Sequence, residues 1–169
     1  MRFKACLKMN LRRTAAPLAL LTALPLLSPM PGAQPPAMQQ RLSIETPSQL
    51  VVKSGSEVVQ TLNVSVQPGY HVNSDKPRSE FLIPFRLTWS GTALEPLYIT
   101  YPRSEVIQVG GEQSVVFSGN FPLLTHFKAA ANAPKGPALM TGKLHYQACN
   151  NQMCFRPATI EVRLPVIIE

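Results

Sequence analysis

Two cysteines, Cys149 and Cys154, stand in the stretch HYQACNNQMCFRP, residues 145–157. A pair at this spacing can staple a hairpin, supply half of a metal site, or open and close as a dithiol. As a staple it does little. Closing a loop of about six residues is worth roughly 2 kcal/mol of chain entropy, against roughly 4 for a bridge that closes about 60 residues. As a structural zinc site it needs two further ligands. The histidines are His71, His126 and His145, with no HxxxH spacing and no second cysteine pair. No metal site is therefore expected. Thiol–disulfide exchange needs an accessible thiolate and a resolving thiol within reach, and the second cysteine supplies the latter. Arg156 and His145 flank the pair and would favour a thiolate electrostatically. Asn150 and Asn151 are good turn formers, which places the cysteines at the tip of a hairpin. A staple and an exchanging dithiol both remain open on these residues alone.

The compartment bears on that choice. Residues 1–33 contain five basic residues (Arg2, Lys4, Lys8, Arg12, Arg13) and no acid. An apolar run from Ala15 to Leu27 follows, then small residues around Gly32 and Ala33. This is the layout of a secretory signal peptide with cleavage near Ala33. The apolar run holds Pro17 and Pro25 and falls short of the about 20 residues that span a bilayer. The expectation is export, with no membrane insertion after cleavage. Cys6 leaves with the leader, so the exported chain keeps an even number of cysteines in an oxidising compartment, and a Cys149–Cys154 disulfide is expected. The leader also carries five of the 16 Lys and Arg, so 11 remain against nine Asp and Glu, about +2 net. The basic pI belongs to the leader, and no nucleic-acid footprint survives it.

The hairpin must be carried by a scaffold. Residues 34–40 read as a flexible start and residues 41–169 as one domain. Two-residue alternation recurs along it. Val58, Leu62, Val64 and Val66 share a face, as do Ile83, Phe85, Leu87 and Trp89, and again Ile160, Val162, Leu164 and Val166. EFLIP, residues 80–84, reads as a buried strand. Thirteen prolines after residue 33 argue against helices, and Pro84 and Pro165 point to edges or bulges. The fold class expected is all-β, an antiparallel immunoglobulin-like sandwich. The cysteine–tryptophan–cysteine pattern of true immunoglobulin domains is absent.

Side-chain parity makes one further demand. Leu144, Tyr146 and Ala148 share a face that excludes Cys149, whereas Cys154 has the parity of Ile160 and Val162. The two thiols meet only if parity shifts once. Pro157 cannot donate a ladder bond, so an irregularity is expected at Phe155 to Pro157.

Three segments, VQPGYHVNSDKPRSEFLIPFRL (66–87), YPRSEVIQV (101–109) and LHYQACNNQMCFRPATIEVRLPV (144–166), resemble the N-terminal periplasmic domain of the thiol:disulfide interchange protein DsbD. The resemblance runs from about Leu50 to Ile168. It implies a sandwich whose Cys149/Cys154 pair shuttles between dithiol and disulfide in the periplasm. It implies thioredoxin-fold proteins and a membrane thiol transporter as partners, with protein-disulfide reductase-type interchange and neither cofactor nor small-molecule substrate. It also implies that Cys154 forms the mixed disulfide and Cys149 resolves it. Arg156 stands where the family often has a proline. The stretch matching the family's cap loop, 108–116, offers Glu112 and no aromatic ring. Tyr70 is a candidate neighbour of the cysteines, and Met153 and Phe155 are candidate apolar docking contacts. The competing reading is a binding or assembly module in which the disulfide is only structural.

Overall fold

The computed structural model describes residues 40–169. The expected signal peptide, and all but the last residue of the expected flexible start, lie outside the described residues. Twelve strands run in chain order: β1 Leu42–Ile44, β2 Leu50–Val52, β3 Glu57–Val66, β4 His71–Asn73, β5 Arg86–Ser90, β6 Leu94–Thr100, β7 Glu105–Val109, β8 Glu112–Phe117, β9 Asn120–Ala129, β10 Gly136–Tyr146, β11 Ala148–Cys149 and β12 Ala158–Ile168. They form three four-stranded sheets, in the orders β1-β3-β9-β6, β2-β12-β10-β5 and β11-β4-β8-β7. No helix occurs among the described residues.

Alternating apolar residues explain the first two sheets. Along β3, Leu62, Val64 and Val66 point inward while Thr61, Asn63 and Ser65 face water. β9 answers in register, with Leu62 opposite Leu123 and Val64 opposite Phe121. Along β12, Val162, Leu164, Val166 and Ile168 are buried against β10's Met140, Leu144 and Tyr146. Trp89 packs against both of the domain's buried clusters. Its ring stands edge-on to Phe127 at 5.2 Å, and its indole N–H donates to Thr125 Oγ1 at 3.0 Å. Gly142 leaves room for it, since a Cβ there would lie 3.0 Å from the ring. One pairing departs from the antiparallel expectation: β2 runs parallel to β12.

The stretch expected to form a strand from 81 to 89 does so only from Arg86. Residues 74–85 are turns and irregular chain, and Phe81 is 87% exposed. Pro77 and Pro84 have no N–H to give a ladder. The segment instead closes on itself, Leu82 N–H donating to Ser79 O and Phe85 N–H to Ser74 O. Phe85 still reaches the core, with Phe117 at 5.6 Å and Phe121 at 5.9 Å. EFLIP is therefore not a buried strand; its neighbour Phe85 does the packing.

The third sheet matters most for function. β11 follows β10 after the single residue Gln147 and pairs with β4, which pairs with β8. The hairpin tip that carries the cysteines is thereby held by a sheet of its own.

Candidate functional site: the disulfide at the hairpin tip

β10 and β12 pair without interruption up to Tyr146 opposite Ala158. Beyond that, Cys149 pairs with Cys154. Two residues, Gln147 and Ala148, thus face three, Phe155, Arg156 and Pro157. This is a bulge at the position that parity requires, and it turns both sulfurs to the same face.

Two backbone hydrogen bonds flank the pair, Phe155 N–H to Ala148 O and Asn150 N–H to Met153 O, both 2.9 Å. Cysteines so flanked occupy a non-hydrogen-bonded position, where antiparallel strands approach most closely. Their Cα atoms are 4.0 Å apart and their sulfurs are bonded. Asn150 builds the turn, its Oδ1 accepting from the amides of Gln152 at 2.9 Å and Met153 at 2.8 Å. Such side-chain acceptance is why Asn favours turns.

The two sulfurs differ in environment. Cys149 lies on β11 inside the third sheet and is 1% exposed. Cys154 is exposed. Of the two residues, Cys154 is the one that solvent reaches.

Side chains from four segments hold this tip. Gln147 donates from Nε2 to Phe155 O at 3.0 Å and accepts at Oε1 from Asn73 Nδ2 at 3.3 Å. Asn73, buried on β4, also donates to Ile83 O at 2.9 Å. This amide chain ties the irregular 74–85 segment, β4 and the bulge together. On the opposite side, Tyr70 packs on Phe155 with ring centroids 5.8 Å apart. The Arg41 guanidinium lies over Phe155 at 3.4 Å and over Tyr70 at 5.3 Å, a cation–π stack beside Cys154. Tyr146, beneath them, has its hydroxyl pKa raised by burial, with the Arg41 charge opposing.

The family description "Thiol:disulfide interchange protein DsbD, N-terminal" matches residues 39–165, which include the whole hairpin. The chain belongs to the DsbD N-terminal domain family. Among solved structures, the N-terminal periplasmic domain of ScsB from Proteus mirabilis matches at 17% identity and a TM-score of 0.51, over 68% of this chain and 42% of that one. The chain thus spans about two fifths of the ScsB structure's length. The reduced DsbD N-terminal domain of Neisseria meningitidis matches at 15% identity and a TM-score of 0.40, over 66% of this chain and 79% of that one. A type I cohesin of Pseudobacteroides cellulosolvens matches at 14% identity and a TM-score of 0.43, over 76% and 92%. Among curated proteins nothing matches.

Within this DsbD-type domain, the structure brings Cys149, Cys154, Phe155 and Tyr70 together, and it leaves Met153 56% exposed at the turn. Arg156 lies exposed in the bulge. Two other candidates are placed elsewhere. His145 sits on the outer face of β10, its Nδ1 3.0 Å from Thr159 Oγ1. Glu112 is exposed at the Gly110-Gly111 turn between β7 and β8. Register puts it six residues along β8 from the row of Cys149, about 20 Å of extended strand. The sequence reading missed Arg41, Gln147 and Asn73. Gln147 carried a weak signal, as the polar residue between the buried Tyr146 and Ala148. No cluster of three or more His, Cys, Asp or Glu suited to a metal is found among the described residues. No helix among them is long and apolar enough to cross a membrane.

Proposed function

We propose that this domain is an exported, periplasmic carrier of reducing equivalents that exchanges disulfides with thioredoxin-fold proteins through Cys154 and Cys149. The observation that carries this reading is the asymmetry of the pair, one sulfur exposed at a turn and the other buried within a sheet. A partner thiolate attacks Cys154 Sγ and displaces Cys149 as a thiolate; in the reverse direction Cys149 attacks the mixed disulfide and releases the partner. Cys154 is the bonding cysteine and Cys149 the resolving one. Met153 and the Phe155–Arg41–Tyr70 stack offer an apolar and cationic rim for docking beside Cys154. A membrane thiol transporter or a thioredoxin-like protein supplies or drains the electrons. Family membership supports the class of chemistry.

The test is trapping. Cys149→Ser, mixed with an oxidised thioredoxin-fold protein, should accumulate a mixed disulfide at Cys154. Cys154→Ser should accumulate none, because Cys149 is covered. A purely structural disulfide predicts that neither variant is trapped.

A further inference from the structure

β4 places His71 directly opposite Cys149. Cys149 in turn faces Cys154. The three residues form one row across three strands, and side chains directly opposite each other across a ladder have Cβ atoms about 4.5–5.5 Å apart. The alternate row, Ala148, Val72 and Phe117, faces the buried cluster. His71, Cys149 and Cys154 therefore share the other face of the third sheet.

His71 is 6% exposed. Yet its ring takes part in no side-chain hydrogen bond, ion pair or ring contact among the described residues. The imidazole nitrogens are not among the fully buried polar atoms that lack a hydrogen-bond partner, so water still reaches them in the oxidised form. What the disulfide withholds from the ring is a group that exchanges a proton. An oxidised cysteine pair offers its neighbour neither a proton nor a charge. A reduced Cys149 offers an S–H donor or a thiolate acceptor. A proton-exchanging neighbour across the ladder from His71 thus exists only when the bond is open.

We propose that His71 takes and returns the proton of Cys149 as the disulfide closes and opens. This rests on the exchange reading above. On closing, a partner is joined to Cys154 through a mixed disulfide. The Cys149 thiol gives its proton to the imidazole and the thiolate attacks Cys154 Sγ. The bond between Cys154 and the partner breaks, and the partner leaves as a thiolate with the electron pair, to be protonated by solvent. The domain's dithiol is oxidised and the partner's disulfide is reduced. On opening, the partner's dithiol is the reductant, and the imidazolium protonates the departing Cys149 thiolate.

The surroundings suit a base that stays neutral near pH 7. Burial lowers the ring's pKa from its usual 6.5. Continuing the β4–β8 register puts Ser118 next in the row, its hydroxyl donating to Glu105 of β7 at 3.1 Å. Glu105 is thus the carboxylate on that flank. Asn73, Gln147, Val116 and Ser114 are uncharged side chains of this face; continuing the β8–β7 register puts Arg103 beyond Ser118, and Glu112 stands on the same face six residues along β8, about 20 Å away. Tyr70, Tyr146 and Arg41 lie on the opposite side, with Phe155.

The experiment follows resolution of a small mixed disulfide. The reduced domain is mixed with oxidised glutathione, quenched in acid at intervals, and the Cys154–glutathione adduct is counted by mass spectrometry from pH 5.5 to 9.5. In His71→Gln the adduct should persist at least about tenfold longer than in the native protein at pH 6.5, and the difference should fade toward pH 9.5, where hydroxide removes the thiol proton. Equal lifetimes with the same pH profile in both proteins would overturn the proposal. A second reading needs no variant: the His71 ring, titrated by NMR in the native protein, should change its pKa between oxidised and reduced forms, and an identical titration would overturn it too. If glutathione disulfide neither forms an adduct at Cys154 nor closes the Cys149–Cys154 bond in the native protein, the exchange reading falls and this inference with it.

Discussion

Reducing the Cys149–Cys154 bond should leave the domain folded. The bond joins residues five apart in sequence. Chain-entropy reasoning for a closed loop of about six residues gives roughly 2 kcal/mol of stabilisation lost on reduction. For a domain of this size that corresponds to a fall in Tm of roughly 5–10 °C. The structure supports a loss no larger than this. The Phe155–Ala148 and Asn150–Met153 backbone bonds, the Gln147–Phe155 bond and the β11–β4 pairing all persist without the sulfur bond. The buried clusters are built mainly from β3, β9, β10 and β12, and those strands do not depend on the tip. The assay is thermal denaturation by circular dichroism, with and without a non-thiol reductant, with Cys149→Ala/Cys154→Ala as the permanent reduced form. A single cooperative transition at modestly lower temperature is the predicted outcome. A drop of more than about 20 °C, or loss of cooperativity, would mean that the bond organises the fold, and the argument that it is free to open would fail.

Other perturbations separate the parts of the design. Gln147→Ala removes the link between Asn73 and Phe155 O, should cost about 1–2 kcal/mol, and should speed amide hydrogen exchange at the hairpin tip while leaving β3 and β9 unchanged. Gly142→Ala sets a methyl 3.0 Å from the Trp89 ring and should cost about 1–3 kcal/mol in chemical denaturation without altering the cysteine chemistry. Because burial lowers the His71 pKa, the unfolded chain binds that proton more readily. Its contribution is fully present above the unfolded value of about 6.5 and is lost as pH falls below it, levelling off once the folded ring also protonates. The oxidised native protein should therefore lose more Tm between pH 7.5 and pH 5.5 than oxidised His71→Phe, and equal losses would refute the assignment of burial to that ring.

Much of this architecture is legible in the residues. Alternation marks β3, β5 and β12 because each buries one face, and a side-chain period of two leaves little freedom in register. The same period exposes the bulge: counting parity from Tyr146 to Cys149 and from Cys154 to Ile160 shows that one residue must be absorbed, and Pro157 marks where. The 74–85 segment is illegible for the opposite reason. Its apolar letters suggest a strand, but prolines at 77 and 84 remove ladder donors, and the fold buries Phe85 while leaving Phe81 in water. Arg41 gives no signal because its stacking on Phe155 joins chain ends that are distant in sequence. His71 is hidden likewise. Its place opposite Cys149 follows from how β4 docks on β11, and no local pattern encodes that. His145 and Glu112 were singled out by nearness in sequence or by family pattern, and the strands carry both away from the sulfurs.

The central claim is that this bond exchanges and does more than hold a turn. Its reduction potential is the most direct test, measured by equilibrating the purified domain with glutathione or dithiothreitol buffers and counting free thiols. Exchange predicts a value above about −300 mV, within reach of thioredoxin-type donors; a pair that stays oxidised below that potential would be a structural bridge and would contradict the account.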